Sequence, residues 1–274
     1  MATGHTSPDS MTSLFAVPLQ AVNEVELVSS SENLLRMNWL VALKVPALAT
    51  ATIAGYVNCS APNPPPSKQG AAKVDPWDHT FTVVKSAIPV MLFAGSIQFC
   101  EIAVILAQQA DTPLSAAILR TLWLRPTTPN TLSTTPLFLA GVVMMVCGAA
   151  LRKVCYQTLG RYFTYQLAIL KDHKLVTWGP YSLVRHPSYT GFFSTSIGLL
   201  LTEFAPGGWL RESGVLDASW GKAVMGAWAA NVMIVMFLVL KRVPKEDAMM
   251  KREFGEEWER WARKTPYALI PYVY

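Results

Sequence analysis

Two polar stretches of this sequence hold the side chains best suited to chemistry. The first runs from His173-Lys174-Leu175-Val176 through Gly179-Pro180-Tyr181 to Arg185-His186-Pro187-Ser188-Tyr189-Thr190-Gly191. Gly179-Pro180 marks a turn, and Pro187 suits the first turn of a helix. Arg185 and His186 then stand beside a helix N-terminus, whose free backbone N–H groups favour a carboxylate, so an anion site is expected there. A plainer explanation fits the same residue types: Arg185 anchors the helix to lipid headgroups and His186 caps it, as interfacial arginines commonly do.

The second stretch begins Arg242-Val243-Pro244-Lys245-Glu246-Asp247 and closes on Pro266-Tyr267-Ala268-Leu269-Ile270-Pro271-Tyr272. Pro244 is expected to open a helix with Glu246 and Asp247 in its first turn, where acids favour the helix dipole. Met249, Met250, Phe254, Trp258 and Trp261 recur at helical spacing and predict a buried stripe, core or interface and not a cofactor box. Glu253, Glu256, Glu257 and Glu259 read as a solvated face. Glu101, with Gln98 and Gln108 nearby, lies in an apolar block and is a functional candidate by default, unless its place near a helix end lets it reach water.

These residues need elements to hold them. Of 274 residues, 51% are hydrophobic and 15% charged, and the mean hydropathy is positive, which favours a membrane protein over a soluble globular domain. The apolar residues form long blocks and do not alternate at strand period, so the fold class is all-α, a polytopic bundle of spanning helices. Blocks of about the twenty residues needed to cross a bilayer run over 39–57, 81–107, 136–151, 189–204 and 222–240, giving about five spans. Prolines 62, 64, 65 and 66 make the first connection a loop, and Ser115 to Trp123 reads as a short interfacial helix.

The chain divides into an N-terminal tail over 1–37 with room for an interfacial helix, N-terminal spans and loops over 38–135, and a core over 136–274. Residues 1–35 carry no signal-peptide pattern. Four scattered cysteines predict neither a disulfide framework nor a zinc site. The net charge of +5 comes from basic residues concentrated after about position 150, beside apolar segments. That placement favours membrane-surface charge over nucleic acid. Lysines and arginines follow both the third and the fifth block, so both segments, and the C-terminus, are expected on the cytosolic side.

Together the two stretches resemble the isoprenylcysteine carboxyl methyltransferase family. The pattern is a His-Lys-Leu-Val run, Gly-Pro-Tyr, Arg-His-Pro-x-Tyr-x-Gly, an arginine followed by paired acids, Phe-Gly-x-x-Trp, and a closing Pro and Leu-x-Pro. It covers Leu159 to Tyr274 in order and spacing; where relatives often carry Glu-Glu, this chain has Glu246-Asp247.

The resemblance implies an S-adenosylmethionine (SAM) pocket on the cytosolic side, formed by segment 159–191 with the C-terminal helix and tail. Lys174, Leu175 and Val176 would line the adenosine, with Gly179 in the turn beside them. Tyr181, His186, Pro187 and Tyr189 would close around the methionine end, and Leu269 and Pro271 would complete the pocket. Arg185 and Glu246 would be the charged pair nearest the reaction, supported by Arg242.

The resemblance also implies an endoplasmic-reticulum enzyme that takes prenylated protein C-termini, or another lipophilic acceptor, from the bilayer. A carboxylate of pKa about 4 is already ionised at pH 7 and attacks a sulfonium methyl without a base. A hydroxyl or amine acceptor would need one, with Glu246 or His186 as first choices. Sterol reductases share an Arg-His-Pro pattern and bind NADPH, but they need about twice as many spans. A catalytically silent adaptor is the remaining alternative, against which the intact Arg185, His186 and Glu246 speak.

Overall fold

A computed structural model describes residues 41, 43–60, 62–64, 71–74, 80–125, 132–166 and 168–274, with backbone alone for 71–74 and 80–87. The expectations for the tail over 1–37 fall outside these residues. The elements are α1 (Lys44–Cys59), β1 (Ala71–Val74), α2 (Thr80–Ala107), α3 (Pro113–Leu122), α4 (Pro136–Leu159), β2 (Ala168–Leu170), α5 (Pro187–Glu203), α6 (Trp209–Glu212), α7 (Ser219–Phe254) and α8 (Glu256–Lys264). Each of the five apolar blocks thus contributes most of its described residues to a helix, and α3 is the short helix anticipated before Trp123. The protein is an all-α membrane protein.

Among the described residues three helices are long and apolar enough to cross a bilayer by themselves: Ile88–Ala107 of α2, Pro136–Tyr162 and Ser219–Phe254. Helices α1 and α5 have 16 and 17 residues, or about 24 and 26 Å at 1.5 Å per residue, a few Å short of a roughly 30 Å core. Helix α5 buries Ser188, Gly191, Thr195, Ser196, Gly198 and Thr202, so it faces protein along much of its length.

Its main neighbour is α4, and glycines set their separation. A Cβ on Gly141 would stand 2.8 Å from the Gly198 carbonyl oxygen, and one on Gly148 would stand 2.5 Å from that of Gly191. Two glycines seven residues apart on each antiparallel helix therefore let the backbones touch, as small residues do between membrane helices. The small-residue face of the third block, Gly141 and Gly148, is used within the chain.

Two local expectations are corrected. Pro244 does not start a helix: α7 runs unbroken through it for 36 residues, about 54 Å. Buried Val239, Arg242 and Val243 pack just before the proline and half-buried Glu246, Asp247, Met249 and Met250 just after it, and this contact outweighs the one hydrogen bond that proline forfeits. Glu246 and Asp247 therefore lie deep in a long helix and not in a first turn, so the dipole explanation for them lapses. α7 ends instead at Gly255, whose φ of 52° few other residues adopt readily.

The other correction concerns the first loop, which contains β1. It pairs antiparallel with β2, Ala71 opposite Leu170 and Val74 opposite Ala168. The ladder ties the α1–α2 connection to the chain beyond α4.

At the end of the bundle where α1 begins and α5 ends, Lys44 is wholly buried. Its ammonium lies 2.5 Å from Glu101 Oε1 and donates to the carbonyls of Ser133 and Gly207, each at 2.9 Å. The Phe138 ring lies beneath it at 4.7 Å. Beside this group the Gln98 amide donates to Glu203 Oε1 at 2.9 Å and accepts from the Thr52 hydroxyl. Glu101 is thus committed to an ion pair at this end.

Candidate active site

The opposite end of the bundle opens into a cleft of about 1270 Å³, its mouth included. Five parts of the chain meet there: the end of α1, the end of α4 with the segment after it, the start of α5, the second half of α7, and α8. The length of α7 makes this possible, since it carries Arg242, Glu246 and Asp247 past the apolar stretch and up against the start of α5.

Helix α5 is entered through Arg185-His186-Pro187, with Pro187 in the first turn. The C-terminal tail runs alongside as a strap: Arg185 N–H donates to Tyr267 O at 2.9 Å and His186 N–H to Ala268 O at 2.8 Å. The Thr190 hydroxyl adds a bond to Leu269 O at 2.6 Å. These bonds fix the backbone from which Arg185, His186 and Tyr189 project.

Their side chains meet α7. Arg185 pairs with Asp247 Oδ2 at 3.0 Å and also donates to the carbonyls of Thr265, at 3.1 Å, and Pro266. His186 Nε2 lies 2.9 Å from Asp247 Oδ1, and its other ring nitrogen is 3.9 Å from Glu246 Oε1. The Tyr189 hydroxyl donates to Glu246 Oε2 at 2.5 Å, with its ring stacked on His186 at 5.6 Å. One turn earlier on α7, Arg242 Nε sits 3.7 Å from Glu246 Oε2, and its Nη1 donates to Tyr165 O at 2.6 Å. The paired acids thus divide their work, Asp247 holding Arg185 and His186 while Glu246 faces Tyr189 and Arg242. Neither plain reading of Arg185 and His186 survives, because both side chains are turned to α7, and His186 makes no side-chain cap.

The wall away from the bundle is apolar and aromatic. Leu175, Val176 and Tyr181 pack with Cys155 and Trp261, flanked by Met250, Phe254 and Trp258. Gly179, at φ 61°, makes the turn that sends Tyr181 inward, and the Trp261 indole donates to Tyr181 O at 3.1 Å. Burial raises the Tyr181 phenol well above its ordinary pKa. His173 stacks on Tyr162 at 4.7 Å, and burial lowers the pKa of its imidazole, favouring the neutral ring. Both His173 Nδ1 and Trp258 Nε1 are buried without a partner among the described residues.

Of the residues singled out from sequence, Leu175, Val176, Tyr181, Arg185, His186, Tyr189, Arg242 and Glu246 line the cleft. Lys174 and Gly179 are exposed beside it, Pro187 lies inside the start of α5, and Leu269 and Pro271 belong to the strap. Sequence reasoning passed over four further residues that the structure brings here. Asp247 was weighed only as a dipole partner, and Arg152 only as a topology charge, although an arginine closing an apolar block is a signal in itself. Tyr165 and Asn58 carry no local signal. Met249, Met250, Trp258 and Trp261, read as an apolar stripe, form that stripe and line the cleft as well.

Residues 141–206 match the model of the isoprenylcysteine carboxyl methyltransferase (ICMT) family. Protein-S-isoprenylcysteine O-methyltransferase B of Arabidopsis thaliana is 32% identical over 135 residues, 48% of this chain and 58% of its own length. The protein-S-isoprenylcysteine O-methyltransferases of Xenopus laevis and Homo sapiens are 31% and 29% identical over 147 residues, 53% of this chain and 44% and 45% of theirs. The chain therefore matches about half the length of these relatives. By motif, family model and relatives alike, this part of the chain is similar to the isoprenylcysteine carboxyl methyltransferase family.

Proposed function

We propose that the protein transfers a methyl group from SAM to the C-terminal carboxylate of a prenylated cysteine at the membrane. The observation that carries this reading is the convergence of Arg185, His186 and Tyr189 with Arg242, Glu246 and Asp247 on one cleft at the end of the bundle. The family resemblance and the relatives' names supply the chemistry.

The residues present suit the cofactor. Leu175, Val176, Met249, Met250, Trp258 and Trp261 offer a flat apolar wall for an adenosine, and the unpartnered His173 Nδ1 and Trp258 Nε1 offer polar atoms for its ring edge. His186, Tyr189 and Glu246 lie where a charged amino-acid end would be held. When bound, SAM supplies an electrophilic methyl group on a sulfonium.

This chain's residues orient and desolvate. An acceptor carboxylate, already ionised at neutral pH, would be the nucleophile for that methyl. No proton moves, so the work is alignment and exclusion of water. Glu246 places a negative carboxylate in the middle of the cleft, where it stabilises a cation and is itself kept in position by Tyr189 and Arg242.

In this reading residues 136–274 are the methyltransferase core and 38–135 complete its bundle. The cleft and C-terminus face the cytosol, where the basic residues after α4 and α7 belong, and the endoplasmic reticulum is the expected membrane. The test is transfer of labelled methyl from SAM, by the full chain in proteoliposomes, to N-acetyl-S-farnesylcysteine or to a lipid extract. Labelled farnesylcysteine ester is expected; label in the lipid extract alone, or none with either acceptor, overturns the proposal.

A further inference from the structure

Three arginines line the cleft, and two of them already have acids: Arg185 holds Asp247 at 3.0 Å, and Arg242 lies 3.7 Å from Glu246. The third, Arg152, is 3% exposed and, among the described residues, has no carboxylate. Its guanidinium meets neutral oxygens only: the hydroxyls of Tyr156 at 2.9 Å and Tyr165 at 3.1 Å, and Ser188 O at 3.1 Å and Oγ at 3.4 Å. Three aromatic rings, of Tyr156, Tyr165 and Phe192, lie 5.3–5.9 Å from it. A buried cation that borders open space without a counter-ion is costly unless an anion completes it.

Asn58, at the end of α1, is a second and independent observation. It is 1% exposed and lines the same cleft, yet neither its Oδ1 nor its Nδ2 has a hydrogen-bond partner among the described residues. The Tyr165 hydroxyl places it beside the arginine, since it donates to Asn58 O at 3.2 Å and accepts from Arg152. Phe192, Val235 and Val239 complete this side of the cleft with apolar surface from the bundle.

We infer that Arg152 and Asn58 form the seat for the methyl acceptor's carboxylate, with Arg152 facing the two oxygens and Asn58 reading the adjoining amide. This rests on the prenylcysteine reading above and moves the carboxylate's anchor away from Arg185, whose donors are already taken. It gives α1, outside the family-matched residues, a share in substrate choice. It also gives the seat a direction: methylation removes the acceptor's negative charge, so the ester is held less tightly than the acid.

The experiment compares the acid of N-acetyl-S-farnesylcysteine with its carboxamide, which keeps the lipid and the amide but carries no charge. Affinities are read as KM for the acid and as competitive inhibition by the carboxamide, on full-length protein in proteoliposomes. Wild type is expected to prefer the acid by about tenfold or more, the effect of a charge-assisted pair. Arg152→Gln should bring that preference below about twofold and Arg152→Lys should restore part of it, with affinity for SAM held. Asn58→Ala, which breaks no existing bond, should weaken both ligands several-fold, and its thermal midpoint should stay at the wild-type value. If Arg152→Gln fails to fold, the Asn58→Ala result decides alone. Wild-type acid preference in Arg152→Gln, or unchanged affinities in Asn58→Ala, overturns the seat while leaving the function standing. A wild-type protein that methylates no farnesylcysteine overturns both.

Discussion

The two ends of the helix bundle solve the same problem in opposite ways. Lys44 and Arg152 are both buried cations. At one end the wholly buried Lys44 ammonium has three oxygen neighbours for its three protons, one of them the Glu101 carboxylate. At the other end, among the described residues, Arg152 meets neutral oxygens only and the Asn58 side-chain amide has no partner, both on the wall of a large cleft. Burial alone therefore says little about function. What separates a clamp from a binding site is whether the polar groups are completed by the chain or left for something else to complete.

The largest effect expected from breaking this contrast is at Glu246. Glu246→Ala removes the carboxylate shared by Tyr189 and Arg242, and methyl transfer to farnesylcysteine should fall by about a thousandfold or more, while thermal unfolding in detergent moves by only a few degrees. Full activity in this variant would remove Glu246 from the machinery. Arg185→Ala should also abolish transfer, but it releases Asp247 and the strap at Thr265 and Pro266, so part of its effect should appear as lost stability.

Lys44→Met should show the reverse pattern. Leaving Glu101 buried without its cation should cost about 3–5 kcal/mol, read as a large drop in thermal midpoint, with activity per folded molecule within about twofold of wild type. Loss of activity without loss of stability would dissolve the distinction between the two ends.

Gly148→Ala lies between these extremes. The new methyl would meet Gly191 O at 2.5 Å, forcing α4 and α5 apart at a cost of about 1–3 kcal/mol. Because Arg152 and Ser188 ride on these two helices, KM for the acceptor should rise as well.

The smallest effect is the pH dependence of His173. Burial lowers its pKa in the folded protein, so the unfolded chain binds more protons as the pH drops through its ordinary value of about 6.5. Stability should therefore be full above that value and decline below it. His173→Phe should flatten this part of the profile; an unchanged profile would show that another group sets it.

Much of this contrast can be read in the sequence, but unevenly. Arg185, His186, Tyr189, Arg242 and Glu246 are identifiable because motif residues keep their spacing and type. Asp247 is not, because its pairing with Arg185 depends on α7 passing straight through Pro244, and the local rule for proline says otherwise. Arg152 looks like an orientation charge until the hydroxyls around it are seen to lack an acid. Asn58 is invisible from sequence, since an asparagine at the end of an apolar block also reads as the first residue of a loop. Gly141 and Gly148 do signal close packing, but naming their partners needs Gly191 and Gly198 set opposite them by the antiparallel return.

Those glycine pairs bear on the order in which the bundle comes together. They join two helices that follow one another along the chain, so α4 and α5 can associate as a hairpin in the bilayer before α7 is available. The connection between them, residues 160–186, then has both ends fixed at a small separation, and its loop-closure entropy is met by helix pairing in lipid. The segment that carries His173, Leu175, Val176, Tyr181 and Arg185 is thereby confined to one membrane surface early, and the arrival of α7 completes a cleft whose rim is already in place.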